Sequence, residues 1–260
     1  KVITMITATL AFTMTVCGSS TAIAASELTA ESKPATQYTI DANQEVYALL
    51  DFEDTTEFEN ATKGLLASPD TLDICDENGK VVWSQTAYAF LDQDAPDTAN
   101  PSLWRDTQLN HIYGLFEVTD GIYQVRGYDM SNVTFIKGDT GWIVVDPLMS
   151  VECAQAALAL VEENLGTFPV KAVIYSHSHV DHFGGVKGIV SEEEVQAGNV
   201  QVIAPEGFEK HAVSENIYAG TAMGRRASYQ YGTMLEGGET GSLAIGIGMG
   251  QSKGSTSYIS

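Results

Sequence analysis

The sequence predicts an α/β fold in which helices lie outside a mixed β-sheet. Two observations lead to this prediction. After Gly114, short runs rich in β-branched and aromatic residues follow one another, separated by Asp-Gly or Gly turns. A strand–helix–strand unit comes next, and its second strand leads directly into a histidine-rich segment. In sheets of this kind, functional residues collect where strands end and loops converge.

The individual elements follow from local patterns. Apolar side chains at 151–165 recur at helical spacing, and Gly166 ends that pattern. The run at 142–146 is apolar on both faces, which is typical of an inner strand. Residues 94–102 contain two prolines and three Asn or Asp residues, so an ordered loop is expected there. The glycine-rich tail from Gly232 onward is expected to be a flexible loop or an incomplete part of the fold. We predict strands at 81–83, 115–118, 122–125, 133–136, 142–146, 170–175 and 200–204, and helices at 151–165, 185–189 and 208–229.

The first 24 residues predict a secretory signal peptide. Lys1 is followed by an apolar run at 2–16, and Ala22-Ile23-Ala24 matches a cleavage site. The run is shorter than the ~20 apolar residues that a membrane span requires. Lipid attachment at Cys17 is the less favoured alternative, because the residue before it is larger than the small residue expected there. We therefore expect an exported protein, secreted or periplasmic, without a membrane span.

The composition of the chain limits its partners. Of 260 residues, 44% are hydrophobic and 18% are charged, which is typical of a globular protein. Acidic residues number 34 and basic residues 13, so the formal net charge is −21. Such a surface repels phosphate backbones and anionic lipid headgroups, so no nucleic-acid partner is expected. An anionic substrate would need a local positive centre in order to bind.

The segment Ser-His-Ser-His-Val-Asp-His-Phe-Gly-Gly at 176–185 contains three of the five histidines. In an extended loop His177 and His179 project to the same side and can reach one ion. Asp181 and His182 follow as the chain turns into a helix, and they can reach a second ion. Imidazole and carboxylate are the groups that divalent first-row metals bind. An acid/base site would need only one or two such groups, and a polar loop would need none, so we predict a metal site.

The pattern His-x-His-x-Asp-His on a strand-to-helix turn resembles the signature of the metallo-β-lactamase superfamily, an αββα sandwich with metals between the sheet edges. A narrower resemblance, extending from about residue 39 to about residue 232, is to the alkyl sulfatases. These are secreted or periplasmic hydrolases of the type that degrades sodium dodecyl sulfate. The segments that carry the narrower resemblance are 100–105, 114–118, 121–127 and 214–220.

The resemblance implies a site and a reaction. It implies hydrolysis of an alkyl sulfate ester to alcohol and sulfate, with two Zn²⁺ ions per complete site and a bridging water or hydroxide. Four residues match the metal ligands of the family: His177, His179, Asp181 and His182, with Asp181 also assigned a catalytic role. Asp146 matches the buried aspartate beneath the metals, which accepts a hydrogen bond and holds the loop. An ordinary turn aspartate before a proline is an equally good interpretation of Asp146.

One departure from the family pattern concerns completeness. The family places further ligands, glutamates and a histidine, well downstream of the signature, and then adds a helical dimerisation domain and a sterol-carrier-like domain. Here no histidine follows His211, which we predict to be a surface residue of a helix. We therefore expect the N-terminal portion of a longer, homodimeric enzyme, inactive on its own.

The expected organisation is a signal peptide at 1–24, an N-terminal extension at 25–110 packed on the catalytic domain, and a metallo-β-lactamase-like domain at 111–260 whose sandwich is incomplete at the C-terminus. Two alternatives stay open at this point. One is another hydrolase of the same fold, acting on thioesters or lactams. The other is a non-catalytic chain that binds metal.

Overall fold

A seven-stranded mixed sheet forms the centre of the fold. The computed structural model describes residues 33–232 and 234–259, so the predicted signal peptide and Cys17 lie outside the described residues. Within these ranges the strands are β1 (Leu65–Ala67), β2 (Asp73–Cys75), β3 (Val81–Ser84), β4 (Gly114–Thr119), β5 (Ile122–Arg126), β6 (Val133–Lys137), β7 (Trp142–Val145), β8 (Val170–Ile174) and β9 (Gln201–Ile203). The sheet order is β1-β4-β5-β6-β7-β8-β9, and β2 pairs with β3 in a separate hairpin.

The direction of the strands changes at β7. The pairs β1–β4, β4–β5, β5–β6 and β6–β7 are antiparallel, whereas the pairs β7–β8 and β8–β9 are parallel. This is the order of hairpins followed by a strand–helix–strand unit that the sequence predicts. The α/β class with a mixed sheet is therefore confirmed.

Helices precede, connect and follow the strands. In the described ranges they are α1 (Gln37–Leu49), α2 (Thr56–Thr62), α3 (Pro101–Asn110), α4 (Val151–Leu165), α5 (Glu192–Gln196) and α6 (Phe208–Gln230). The bounds of α4 agree with the predicted helix, and those of α6 differ by one residue. At 185–189 the chain forms only a short 3₁₀ turn, Val186–Gly188. Among the described helices, none combines the length and the apolar composition that a membrane span requires.

The start of α3 corrects the predicted loop at 94–102. Pro101 occupies the first turn of the helix, and the side chain of Asn100 accepts hydrogen bonds from the backbone N–H groups of Ser102 and Leu103, at 2.9 and 3.3 Å. Asn before a helix satisfies free N–H donors, and Pro at the first helical position loses no hydrogen bond. The loop therefore ends at Asn100. Asn and Pro are common in loops, but they are also common at the first positions of a helix, which is where they lie here.

One face of the sheet is buried together with α4. The side chains that alternate onto this face are fully buried: Val125, Val133, Phe135, Trp142, Val144 and Val173. They belong to the same apolar core as the buried α4 residues Cys153, Ala154, Ala157 and Val161. Each large apolar side chain buried in this way contributes roughly 1.5–3 kcal/mol. This layer fixes β7 and β8, whose ends carry the candidate site.

The opposite face of the sheet is apolar but incompletely covered. Residues paired across neighbouring strands lie on the same face. The apolar side chains placed on this face are half-buried or exposed: Ile122, Ile136, Ile143, Val145, Ile174 and Ile203. Ile203 is 46% exposed. In the described ranges the remaining strands form only the β2–β3 hairpin, so the second sheet of the predicted sandwich is not found there.

The segment before residue 111 contributes to the main sheet. Strand β1 pairs with β4, with Leu65 opposite Phe116 and Ala67 opposite Leu115. The predicted boundary between 25–110 and 111–260 stays a prediction.

Candidate metal centre

The histidine-rich segment lies at the carboxyl end of β8. Asp146 follows β7 directly, and because β7 and β8 are parallel, their ends meet at one edge of the sheet. His179 is extended, with φ −80° and ψ 138°, and Val180–His182 then forms a 3₁₀ turn. The turn directs the chain back, so that His182 returns toward the residues that follow β8.

Three imidazole rings come together in this loop. The ring centroid of His177 lies 4.7 Å from that of His179 and 4.1 Å from that of His182. The Asp181 carboxylate is next to them, with its Oδ2 atom 3.0 Å from His182 Nε2. The structure thus brings together the four residues predicted as ligands, and their role as ligands stays a prediction.

Asp146 supports the loop from below. Its carboxylate accepts hydrogen bonds from the backbone N–H of Ser176 at 2.8 Å and from the Ser176 hydroxyl at 2.6 Å. A third bond joins its Oδ2 atom to His182 Nδ1 at 2.9 Å. A carboxylate on Nδ1 fixes the orientation of an imidazole and leaves Nε2 free to bind a ligand. These are the contacts that the predicted orienting role of Asp146 requires.

The electrostatics of the loop centre on His182. Its hydrogen bonds to Asp146 and then to Asp181 raise the pKa of the imidazole to about 9, against the opposing effect of burial. Burial raises the pKa of the Asp181 carboxyl, but the hydrogen bond from His182 and its charge outweigh burial, and the pKa lies below its usual value. The pKa of Asp146 is lowered in the same way: burial raises it, and bonds from His182 and Ser176 outweigh that. The loop therefore already holds a positive charge between two carboxylates.

The imidazole and carboxylate groups of the loop are chemically suited to a divalent metal, but too few of them converge on one position to complete its coordination. Imidazole and carboxylate are ligands of Zn²⁺ and similar ions. In the part of the chain that the structure describes, no three His, Cys, Asp or Glu side chains are placed to hold one ion together. His182 Nε2 instead contacts Asp181, and His179 Nε2 lies 3.5 Å from Glu215 Oε2 of α6. If the donors act as the two predicted pairs, each pair would need a further ligand.

Three residues at the site were not assigned a role from the sequence. The hydroxyl of Ser176 lies between Asp146 and His177, whose Nδ1 atom is 2.9 Å away. Its position directly before the motif is a signal that could have been used. Glu215 approaches from α6, and the hydroxyl of Ser131 donates to the carbonyl oxygen of Asp181. Both residues are distant from the loop along the chain. Glu215 lies in the 214–220 segment that carries the alkyl sulfatase resemblance, whereas no local pattern points to Ser131.

Comparison with known families identifies the class. Residues 126–253 match the metallo-β-lactamase superfamily, and this range includes β6 to β9, α4 and the whole histidine-rich loop. This match agrees with the resemblance seen in the sequence. The match suggests a metal at the loop.

The individual relatives that resemble this chain are alkylsulfatases. The chain is 50% identical over 230 residues to a linear primary-alkylsulfatase of Pseudomonas sp., a match that covers 88% of this chain and 34% of the relative. It is 48% identical over 222 residues to the alkyl/aryl-sulfatase BDS1 of Saccharomyces cerevisiae, covering 85% of this chain and 34% of the relative. The predicted resemblance to alkyl sulfatases is confirmed by these matches.

A solved structure shows the same similarity in three dimensions. The stereoselective inverting sec-alkylsulfatase Pisa1 from Pseudomonas sp. matches with a TM-score of 0.82 and 49% sequence identity. The match covers 88% of this chain and 36% of that chain. The chain thus has the fold of the corresponding part of an alkylsulfatase, and it spans about a third of the length of the relatives it matches.

Proposed function

We propose that this chain is part of a zinc-dependent alkyl sulfatase that hydrolyses alkyl sulfate esters to an alcohol and sulfate. One observation carries the proposal: three imidazoles and a carboxylate cluster above the Asp146 carboxylate, in a chain that is 50% identical to a linear primary-alkylsulfatase over 230 residues. An acid/base site would need fewer of these groups, and a surface loop would not need the supporting carboxylate.

Each residue has a defined part in this proposal. His177 and His179 would hold one Zn²⁺, and Asp181 and His182 a second, with the remaining ligands supplied from elsewhere. When bound, two such ions polarise the sulfate oxygens and lower the pKa of a bound water. Asp146 orients His182 through Nδ1. The pKa of the Asp181 carboxyl is not raised above its ordinary acidic range, so the group is ionised at neutral pH and can accept a hydrogen bond from water.

The negative net charge of the chain means that an anionic substrate needs a local positive centre, which bound metal ions would provide. The formal net charge of −21 would repel an alkyl sulfate from most of the surface. Bound divalent ions are often the largest local charges in a site, and here they would provide the positive centre that the substrate needs. The relatives include a primary and a secondary alkylsulfatase, so the proposal covers alkyl sulfates as a class.

The test is sulfate release by the protein that carries this chain. We expect metal-loaded protein to release sulfate from dodecyl sulfate or from a secondary alkyl sulfate, to lose this activity with a chelator, and to regain it with Zn²⁺. Ion chromatography measures the product. Metal-loaded protein that releases no sulfate from either substrate, but cleaves a thioester or lactam, would instead support another hydrolase of the same fold.

A non-catalytic metal-binding chain is the second candidate function. It is favoured by the open donor set, since each pair of donors would need a further ligand. Counting zinc ions in the same preparations distinguishes the two, because a value near two per chain requires ligands beyond the histidine-rich loop.

We further propose export and a homodimeric assembly of the protein that carries this chain. Export predicts a mature N-terminus at Ala25, which mass spectrometry of the exported protein measures. A lipid-modified Cys17 would contradict this cleavage site and support anchoring. Light scattering after size-exclusion chromatography tests the homodimer.

A further inference from the structure

We infer that Asp129 is a positioning residue for the candidate metal centre, because its buried carboxylate holds the turn that carries Asp146. The inference rests on the proposed function, since the purpose of that turn is to direct Asp146 at the histidine-rich loop. Asp129 makes no hydrogen bond to the predicted ligands, and its effect on them is indirect.

The turn between β7 and α4 is strained. Asp146 has φ +56° and Leu148 has φ +62°, a left-handed conformation that residues other than glycine rarely adopt. Such a conformation is unfavourable, and it persists only when the surroundings enforce it. Leu148 is fully buried, which anchors its side chain but does not by itself fix the backbone on either side. Further contacts must hold the turn.

Asp129 provides contacts at the point where the strained turn ends. Its Oδ2 atom accepts hydrogen bonds from the backbone N–H groups of Met149 and Ser150, at 3.2 and 3.3 Å. These are the two residues that follow Leu148. Asp129 is 4% exposed, and hydrogen bonds to a buried charged group are stronger than those between neutral groups. These two bonds therefore oppose the strain of the turn at its C-terminal end.

The same carboxylate also fastens the glycine-rich tail. Ser252 donates its backbone N–H to Oδ1 at 3.3 Å and its hydroxyl to Oδ2 at 2.8 Å, and the N–H of Met130 donates to Oδ1 at 2.8 Å. Burial raises the pKa of Asp129, and the bonds from Met130 and Ser252 oppose that effect. Five hydrogen-bond donors thus converge on one buried carboxylate.

The opposite end of the turn reaches the candidate site. Asp146 accepts the bonds from Ser176 and His182 described above. Ser131, two residues beyond Asp129, donates its hydroxyl to the carbonyl oxygen of Asp181. The short loop that contains Asp129 therefore supports both the turn beneath the site and the loop that carries the donors.

The experiment compares Asp129→Asn with the control Thr107→Val in the whole chain. Asn has nearly the same shape as Asp, but its NH₂ group cannot accept the hydrogen bonds that one carboxylate oxygen accepts in the wild type. Thr107 is as buried as Asp129, and among the described residues its hydroxyl bonds only to the carbonyl oxygen of Leu103 within α3, at 2.7 Å. The control therefore removes a buried hydrogen bond without touching the turn.

The direct readout is amide hydrogen exchange at Ser176, whose N–H donates to Asp146, measured without metal. We expect exchange at least tenfold faster in Asp129→Asn and unchanged in Thr107→Val. Zinc affinity should fall about 10- to 100-fold in Asp129→Asn, as for other residues that orient metal ligands. Unchanged exchange at Ser176 in folded Asp129→Asn overturns the inference.

A second variant keeps the inference testable if Asp129→Asn does not fold. If Asp129→Asn does not fold, Ser252→Ala removes the hydroxyl that donates to Asp129 Oδ2 and also lies 3.0 Å from the Ser150 hydroxyl, and faster exchange at Ser176 is still expected relative to Thr107→Val. No increase overturns the inference. Because the exchange measurement needs no metal, it decides the role of Asp129 even if the wild-type protein binds no zinc, an outcome that would count against the proposed function alone.

Discussion

At the residue scale, His182 has the best-defined environment in the candidate centre. Asp146 lies 2.9 Å from its Nδ1 atom and Asp181 lies 3.0 Å from its Nε2 atom, and together they raise the pKa of the ring to about 9. An ordinary histidine has a pKa near 6.5. The ring is therefore protonated at neutral pH in the metal-free chain. A metal that binds Nε2 must displace that proton.

Zinc affinity should consequently rise with pH. Because the protonated ring cannot bind a metal, each pH unit below the pKa lowers the apparent affinity about tenfold through this group. We expect a tenfold rise per unit from about pH 7 to about 9, and a plateau above, as measured by competition with a chelator. In Asp146→Asn, which removes the largest cause of the raised pKa, the plateau should begin at lower pH. An affinity independent of pH in the wild type would contradict this assignment of charge.

The residues of the site differ in how far the sequence could predict them. The four predicted ligands lie within six consecutive positions, so their spacing alone suggests a shared site. Asp129 stands between a tyrosine and a methionine with no such pattern. Its importance comes from Met149 and Ser252, which approach it only after the chain has folded.

At the element scale, the histidine-rich loop, the β7–α4 turn and the tail approach one another closely at Gly184 and Gly185. A Cβ atom on Gly185 would lie 2.3 Å from the carbonyl oxygen of Pro147 and 2.6 Å from that of Ser150. Gly185 donates its N–H to the carbonyl oxygen of Leu148 at 3.0 Å, and Gly184 accepts from the N–H of Ser257 at 2.8 Å. Only glycine allows the backbones to lie this close.

Gly185→Ala should therefore destabilise the chain by about 1–3 kcal/mol, because backbone atoms would have to move apart. The control is Gly224→Ala in the exposed part of α6, where a Cβ atom would meet nothing within 4 Å. The control should be neutral or stabilising by up to about 1 kcal/mol, since alanine favours helices. Denaturant unfolding measures both. Equal stability of Gly185→Ala and the wild type would show that the close approach is not required.

Elements with a strong internal period could be predicted, and those that depend on distant contacts could not. The apolar repeat at 151–165 gives α4 residue for residue. The tail forms no helix or strand in its described residues, yet Lys253 donates its N–H to Val82 at 2.8 Å and Val151 donates to Ser255 at 2.8 Å. A glycine-rich sequence carries no local sign of such contacts, because they are made by segments 100 or more residues away.

At the scale of the whole molecule, the half-exposed apolar sheet face and the incomplete set of candidate metal donors have the same implication. Both lead us to expect that further residues are needed to cover the sheet and to complete the metal site. Ile143 and Val145 of β7 lie on that face, whereas Trp142 and Val144 are buried on the other. A sheet face of this kind is normally covered by a second layer. In the alkylsulfatase relatives, about two thirds of the chain lies outside the part matched here.

Residues 25–260 expressed alone should be poorly soluble and should release no sulfate from dodecyl sulfate, even with added zinc. The exposed apolar face favours aggregation, and two donors per ion give weak binding. Light scattering and ion chromatography measure the two outcomes. Sulfate release by this segment at a rate comparable to that of the longer protein would show that the catalytic site lies entirely within these residues.

The central claim is that the loop after β8 binds metal, and metal content tests it most directly. The double variant His177→Ala, His179→Ala is prepared in the protein that carries this chain, with His211→Ala as the control. His211 is an exposed residue of α6 with the same metal-binding group. Inductively coupled plasma mass spectrometry should show that the double variant loses the zinc of one site, while the control keeps the wild-type content. Unchanged zinc content in the double variant would contradict the account.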